Sequence, residues 1–376
     1  MARIRRAIGL MSGTSMDGID IALVETDGGS QVRQGPSGFV PYDAAFRRRI
    51  EIALDDAKAM TLREERPGTL AQVESSLTMV HGDAVKSFLS DNRIAREEID
   101  IIGFHGQTVL HRPAEGLTVQ LGDGQRLADA TGIAVVYDMR GNDMVHGGQG
   151  APLVPAYHQA LAARIPSDLG EGRPVVFVNI GGISNVTIVS GAKDPVAFDT
   201  GPGNGLIDQW VQAKAGLAYD AGGAVAQGGQ VIAPAVERYL AKPYFGVKPP
   251  KSLDRADFTL VELGDAPLAD GARTLARVTA EAILRAGVYA PASPALWIIC
   301  GGGRKNAVIM ADLADGAARQ EAKVVSAEQL GVNGDSVEAE AWAYLAVRSL
   351  EGLPLTWPTT TGCSAAISGG VLVKPY

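Results

Sequence analysis

Twice in this chain an apolar strand runs into a long turn of small residues and comes straight back. The first passage has Ile8 and Leu10, then Met11-Ser12-Gly13-Thr14-Ser15-Met16-Asp17-Gly18, then Ile19, Ile21 and Leu23 alternating with Asp20, Ala22 and Val24. That period of two predicts a hairpin over Arg6 to Thr26. The second passage is the apolar run Pro174 to Asn179, the turn Ile180-Gly181-Gly182-Ile183-Ser184-Asn185, and a return along Val186 to Val189. A hairpin must bury one face against something, so each one calls for its own layer of strands and helices. With 376 residues and roughly 150 residues per domain, the economical solution is two α/β lobes. No short fixed period repeats along the chain, which argues against a solenoid.

The remaining segments fit that layout. Helical spacing runs over Ala44 to Ala59 and Thr69 to Asn92, where Leu70, Val73, Leu77, Val80, Ala84 and Phe88 track one face. A buried strand, Asp100 to Phe104, is expected to end at His105-Gly106-Gln107-Thr108. Short strands follow at Thr118 to Leu121 and Ala134 to Tyr137. Gly141 to Pro155 reads as a polar loop. Val196-Ala197-Phe198 reads as a strand ending at Asp199, with a helix from about Leu206. Another helix spans Leu275 to Ala286. The strand Ala295 to Cys300 enters Gly301-Gly302-Gly303, and a last helix covers Ser336 to Leu350 with Asp335 as its cap. The expected division is 1–135 plus about 358–376 for lobe I and 136–357 for lobe II.

Composition excludes several classes of function. Lys and Arg number 34 against 42 Asp and Glu, a formal charge of -8. A generic nucleic-acid binder carries a basic surplus instead, so no nucleic-acid partner is expected. An anionic small ligand stays possible, because backbone N–H groups bind it locally without a net positive field. Cys300 and Cys363 form no metal or redox spacing, which suits a reducing compartment. The basic start, Arg3-Ile4-Arg5-Arg6, meets Ser12, Gly13 and Asp17 too early for a secretory leader. No apolar run reaches the ~18 residues of a membrane span. A cytoplasmic protein is the expectation.

The two turns carry the chemistry. Clustered N–H donors and the hydroxyls of Ser12, Thr14 and Ser15 suit a phosphate chain, although a polar hairpin turn has the same composition. Adjacent Gly181 and Gly182 let backbone approach a ligand closely. Asp199 stands after an apolar strand beside Thr200-Gly201-Pro202-Gly203-Asn204-Gly205, where a general base is at home; a turn-capping aspartate is the alternative. Bare backbone at Gly301 to Gly303 could carry a flat ring, or simply lead into a helix. His105, Gln107, Thr108 and His111 are placed to meet a sugar; a metal site lacks its third ligand. The run His146-Gly147-Gly148-Gln149-Gly150 has ligand-contacting character. Glu338 and Glu340 favour the dipole at the start of their helix, and one of them could bind a sugar hydroxyl. A P-loop, a G-x-S-x-G elbow and a dinucleotide fingerprint are all missing.

Six blocks in order along the chain resemble the anhydro-N-acetylmuramic acid kinases: Gly9 to Asp20, Gly103 to Thr108, Gly148 to Pro155, Asn179 to Asn185, Phe198 to Asn204, and Asp335 to Ala339 with Ala341, Leu345 and Ala346. The resemblance implies a two-lobed actin-like ATPase fold, with ribonuclease H-like mixed sheets and an interlobe nucleotide cleft. It implies that water opens the 1,6-anhydro ring while ATP phosphorylates the released 6-oxygen, giving N-acetylmuramic acid 6-phosphate and ADP in peptidoglycan recycling. The family's catalytic aspartate falls on Asp199. Phosphate contacts fall on Ser12, Gly13, Thr14, Ser15, Met16, Asp17, Gly18, Ile19 and Asp20, and on Gly181, Gly182, Gly201, Gly203 and Asn204. Gly301, Gly302, Gly303 and Asn306 would face adenosine, and Gln107, Thr108, His146, Gln149 and Glu338 the sugar. Mg²⁺ and a homodimer are implied as well. One departure stands out: the first strand carries Gly9-Leu10-Met11 where the wider superfold often has a metal-organising aspartate. The nearest acids are Asp17 and Asp20, so the metal ligands stay open. Competing readings are another sugar kinase of the superfold and a non-catalytic ATP-binding sugar sensor; a plain glycosidase would need two carboxylates and no phosphate turns.

Overall fold

A computed structural model describes residues 3–170, 172–254 and 257–376. The chain divides into two compact units, Met1–Ala163 with Ser336–Tyr376, and Arg164–Asp335.

The first unit opens on the hairpin of β1 (Arg5–Ser12) and β2 (Gly18–Thr26), in register from Arg5 with Thr26 to Met11 with Asp20. β3 (Val32–Pro41) pairs antiparallel with β2, and the helices α1 (Ala44–Ala57) and α2 (Leu70–Asp91) follow. β4 runs parallel to β1, but it extends over Ile101–Arg112, well past Phe104. The His105 to Thr108 block therefore lies within a strand. A bend between Leu10 and Ser12 in the β1 register marks the passage, and β5 (Leu117–Leu121) pairs with its second half. α3 (Gly124–Thr131) leads to β6 (Val135–Tyr137), which is parallel to β4. The region read as a loop from Gly141 begins with a short helix, α4 (Gly141–Val145), and α5 (Pro155–Ala162) closes the segment.

The second unit holds a five-stranded sheet. β7 (Val175–Ile180), β8 (Ile183–Val189) and β9 (Val196–Pro202) form an antiparallel meander, so the turn shrinks to Gly181-Gly182 and Asp199 lies inside β9, not at its end. α6 (Gly205–Ala215) and α7 (Leu268–Arg285) come next; α7 starts seven residues before the apolar run that suggested it, because its first turns mix small residues with Asp270 and Arg273 and carry no large apolar stripe. β10 (Leu296–Cys300) inserts parallel to β7. α8 (Ala307–Ala318) then leads to the edge strand β11 (Lys323–Ser326). The sheet order is β11-β10-β7-β8-β9, so Asp199 stands on an edge strand.

The chain then returns to the first unit through α9 (Val337–Leu350) and β12 (Val371–Val373), which pairs antiparallel with β6. α9 is why the units divide at Asp335/Ser336 and not near 358. It lies directly on the first sheet: a Cβ on Gly9 would sit 1.8 Å from the Ala339 carbonyl oxygen, and one on Gly103 would sit 2.0 Å from that of Trp342. Two glycines on neighbouring strands remove the side chains that would hold helix and sheet apart. Its alanines and Leu345 are buried as a result, and so are Ala22 and Val24, on the opposite face of β2 from Ile19, Ile21 and Leu23. Asp335 does not cap α9. It pairs instead with Arg304 at 3.0 Å and Lys305 at 3.4 Å, and the N-cap residue is Ser336.

Candidate functional site

In the first unit the Gly13 to Asp17 turn is held from beneath. Ser12 is fully buried; its Oγ donates to Gln107 Oε1 at 2.6 Å and meets the Tyr42 hydroxyl at 2.9 Å. Gln107 Nε2 donates to the Gly13 carbonyl at 3.0 Å. Ser12 and Gln107, one expected on phosphate and the other on sugar, therefore brace the turn with their side chains. Ile19 is buried in the core, so nothing beyond its backbone can face a ligand. What the turn does present is the exposed Thr14, Ser15 and Asp17. Ser15 Oγ donates to Asp17 Oδ1 at 2.7 Å, and Met16 takes a positive φ of 55°, which curls the backbone tightly. Thr108 is half-buried and accepts from Gln120 Nε2 at 3.2 Å.

The His146 to Gly150 run is fixed by a residue the sequence reading passed over. Asp143 is buried and accepts from Thr356 Oγ1 at 2.6 Å, Thr361 Oγ1 at 2.7 Å and the Gly150 N–H at 2.7 Å. The Gln149 N–H donates to the Thr361 carbonyl, and the Ser364 N–H to that of His146. His146 is exposed and Gln149 half-buried on this pinned loop. Arg140 donates to the Gly150 carbonyl at 2.8 Å, contacts His105 Nε2 at 3.0 Å and lies over the Trp342 ring. Burial and the Arg140 charge hold the His105 imidazole neutral, well below its usual range. Of the two glutamates on α9, Glu340 is internal: it accepts from Tyr157, Gln34 and Ser336. Glu338 remains open to solvent, although the protein crowding its carboxyl raises its pKa and Arg140 only partly offsets that.

In the second unit the Gly181-Gly182 tip is welded to the start of α6. Gly203 and Gly205 N–H groups both donate to the Gly182 carbonyl at 3.0 Å, and Asn204 N–H donates to that of Gly181 at 2.7 Å. A Cβ on Gly203 would come within 2.3 Å of the Gly181 oxygen. The Gly203 and Asn204 N–H groups, expected on phosphate, are thus engaged by the turn itself, and Gly182 is the exposed tip. Gly301 to Gly303 follow the same logic. Gly303 packs against Ile180 with no room for a side chain, and Gly302 alone of the three is exposed. Asn306, expected against adenosine, is buried as the N-cap of α8, its Oδ1 accepting from Val308 and Ile309 N–H at 3.0 and 3.2 Å.

Asp199 is different. Its Oδ2 accepts from the Leu253 N–H at 2.8 Å, while Oδ1 has no hydrogen-bond partner among the described residues. Burial lifts its pKa to about 6, and the Leu253 bond pulls weakly the other way. Leu253 also lines a cavity of about 370 Å³ with Gly182, Gly205, Asp208 and Asp254. A carboxylate whose pKa is lifted toward neutrality but which is still mostly ionised at pH 7, with one oxygen unengaged, is suited to accept a proton.

A hairpin of small residues opens each α/β unit, and a carboxylate suited to proton transfer lies on the strand that pairs with the second one. Membership of a kinase family makes the chain a phosphotransferase. The particular family is set by comparison. The family model "Anhydro-N-acetylmuramic acid kinase" matches residues 5–375, and the chain belongs to that family. An anhydro-N-acetylmuramic acid kinase of Agrobacterium fabrum is 58% identical over 374 residues, covering 100% of both chains. One of Brucella canis is 55% identical over 375 residues, again covering 100% of both. A solved ROK family glucokinase from Streptomyces griseus, in complex with glucose and AMPPNP, aligns over 91% of this chain and 99% of its own at 16% identity and a TM-score of 0.41.

Proposed function

We propose that this chain opens the 1,6-anhydro ring of anhydro-N-acetylmuramic acid with water and phosphorylates the 6-oxygen from ATP, and that Asp199 is the base. The state of Asp199 carries the reading. Water attacks the anomeric carbon as Asp199 takes its proton. The bond from that carbon to the bridging oxygen breaks, and the freed 6-oxygen attacks the γ-phosphorus as ADP leaves. The products are N-acetylmuramic acid 6-phosphate and ADP, consistent with a place in cell-wall recycling. Positioning and charge neutralisation do the rest, since no covalent enzyme intermediate is needed.

The exposed face of the first turn (Gly13 to Asp17) and the Gly182 tip would hold phosphates, and Gly302 would lie under the nucleoside. Glu338, His146, Gln149 and Thr108 would contact the sugar. Among the described residues no group of three or more His, Cys, Asp or Glu could hold a metal ion. That fits Mg²⁺ arriving on ATP, because Mg²⁺ keeps several waters and needs few protein carboxylates. Asp17 is exposed and fits a water-bridged contact, and Asp20 is the other acid beside that turn. When bound, the ion would offset phosphate charge. No described helix is long and apolar enough to cross a membrane. We place the enzyme in the cytoplasm as a homodimer.

The test is ADP release with ATP, Mg²⁺ and the anhydro sugar, run beside ordinary N-acetylmuramic acid. Turnover with the anhydro sugar alone, giving the 6-phosphate, supports the reading. Turnover with neither overturns it.

A further inference from the structure

Asp199 sits on the free edge of a sheet, where nothing in the sheet itself holds it. β9 is the last strand, so its outward N–H and C=O groups have no ladder partner. One irregular segment supplies those partners. The Lys251 carbonyl accepts from the Asp199 N–H at 3.1 Å, the Tyr244 hydroxyl donates to the Asp199 carbonyl, and the Leu253 N–H reaches the carboxylate. Apart from a short 3-10 turn at Pro243–Gly246, the segment has no regular structure of its own. Something else must hold it in place.

Lys251 does that. Its side chain is buried, and its ammonium lies 4.4 Å from the Tyr244 ring centre, 5.5 Å from Phe198 and 5.6 Å from Tyr289. It donates to the Tyr244 carbonyl at 3.1 Å and has no carboxylate partner among the described residues. Two of these rings lie outside the segment: Phe198 is next to Asp199 on β9, and Tyr289 ends the turn after α7. A desolvated cation over aromatic faces is strongly attracted, so the cage fastens the segment to the body of the unit. We propose that Lys251 is a positioning residue that holds the Leu253 N–H on the Asp199 carboxylate, and so sets the protonation and aim of the base without touching the substrate.

This rests on Asp199 being the base. The charged and titratable groups around the arrangement are Lys251, Tyr244, Tyr289, Asp254, Asp257 and Arg285, which lies over the Phe245 ring; Asp199, Asp257 and Tyr289 each add to the burial that raises the Tyr244 pKa. Burial lowers the Lys251 pKa and raises those of Tyr244 and Asp199.

The experiment reads the Asp199 carboxyl directly by carbon-13 NMR titration of the full chain, with Asp199→Asn assigning the signal. In Lys251→Met the cage loses its charge, the N–H drifts from the carboxylate, and the midpoint is expected to rise by about half a unit or more. The acid limb of turnover moves with it, kcat falls about tenfold, and KM for ATP stays within about twofold. Lys251→Arg, which keeps a cation over the rings, is expected to restore most of both. A folded Lys251→Met with the native midpoint overturns the proposal. Should that variant not fold, Lys251→Gln likewise removes the cation from the rings while keeping a polar end in the cage, and the midpoint is expected to rise in the same way; a native midpoint in that folded variant overturns the proposal equally. The midpoint decides the role of Lys251, whereas turnover of Asp199→Asn decides separately whether Asp199 is the base.

Discussion

Replacing Asp199 with Asn should make the protein more stable and nearly inactive. The Asn side chain keeps the shape and can still accept from the Leu253 N–H, but it carries no charge to desolvate. The folded pKa of about 6 lies above the unfolded value of 3.8. Folding therefore favours the protonated form. That contribution is complete below the unfolded value and is lost as pH rises through about 6. The shift is roughly two units, and at ~1.36 kcal/mol per unit that is about 3 kcal/mol. Solvent reaches the half-buried carboxyl, so about 1–3 kcal/mol is expected. Urea unfolding at pH 8 should then show Asp199→Asn more stable by about that amount, with the gap closing toward pH 4. Turnover at pH 8 should fall by about 10²- to 10⁴-fold, the usual reach of a general base. In the native enzyme the acid limb of turnover should fall near pH 6. Equal stabilities at pH 8, or a native enzyme more stable there than the variant, would refute the account of a desolvated carboxylate. Near-native turnover in the variant would refute its use as a base.

Other sites give narrower tests. Gly103→Ala places a methyl 2.0 Å from the Trp342 carbonyl oxygen, so α9 must lift from the sheet; a loss of about 3 kcal/mol or more is expected in urea unfolding. Gln107→Leu removes the brace beneath the first turn while filling its space. It should raise KM for ATP about tenfold with a smaller effect on kcat, measured by ADP release. Asn306→Ala deletes the cap of α8 and should cost about 1 kcal/mol of stability. KM for ATP should stay nearly unchanged, and a large rise would return Asn306 to the nucleoside.

The elements most legible in the sequence are those whose pattern is local. Both hairpins, the long helix α2 and the strand β10 follow from apolar spacing within ten or twenty residues. β3 and β12 were missed because neither carries a clear alternation: β3 includes Gly35, Pro36 and Gly38, and β12 has only three residues. The end of β4 was misplaced for a different reason. Gly106 and Gln107 read as a turn, yet Gly106 adopts a φ of 74° within the strand, where the Leu121 carbonyl leaves no room for a side chain. Asp335 looked like a helix cap by position alone, and Arg304, thirty-one residues away, takes it instead.

The candidate site shows the same division between local and distant causes. Glycine makes up 46 of 376 residues, well above the ~7% average, and that excess invites a ligand as its explanation. At Gly9, Gly103, Gly203 and Gly303, however, the close approach is by the protein's own backbone or side chains. Open backbone remains at Gly13 and Gly302, where a Cβ would meet nothing closer than 3.5 Å, and Gly182 is exposed at its tip. Ser12, Gln107 and Asn306 divide from Thr14, Ser15 and Asp17 in the same way. The first three satisfy buried backbone or hydroxyl groups, and the second three stay exposed. Composition cannot separate a glycine that admits a ligand from one that admits a helix, because both are selected by the same absence of a Cβ. Partners far off in sequence decide it. For Asp199 they are Tyr244, Lys251 and Leu253, some fifty residues downstream, with no residue pattern linking them to β9.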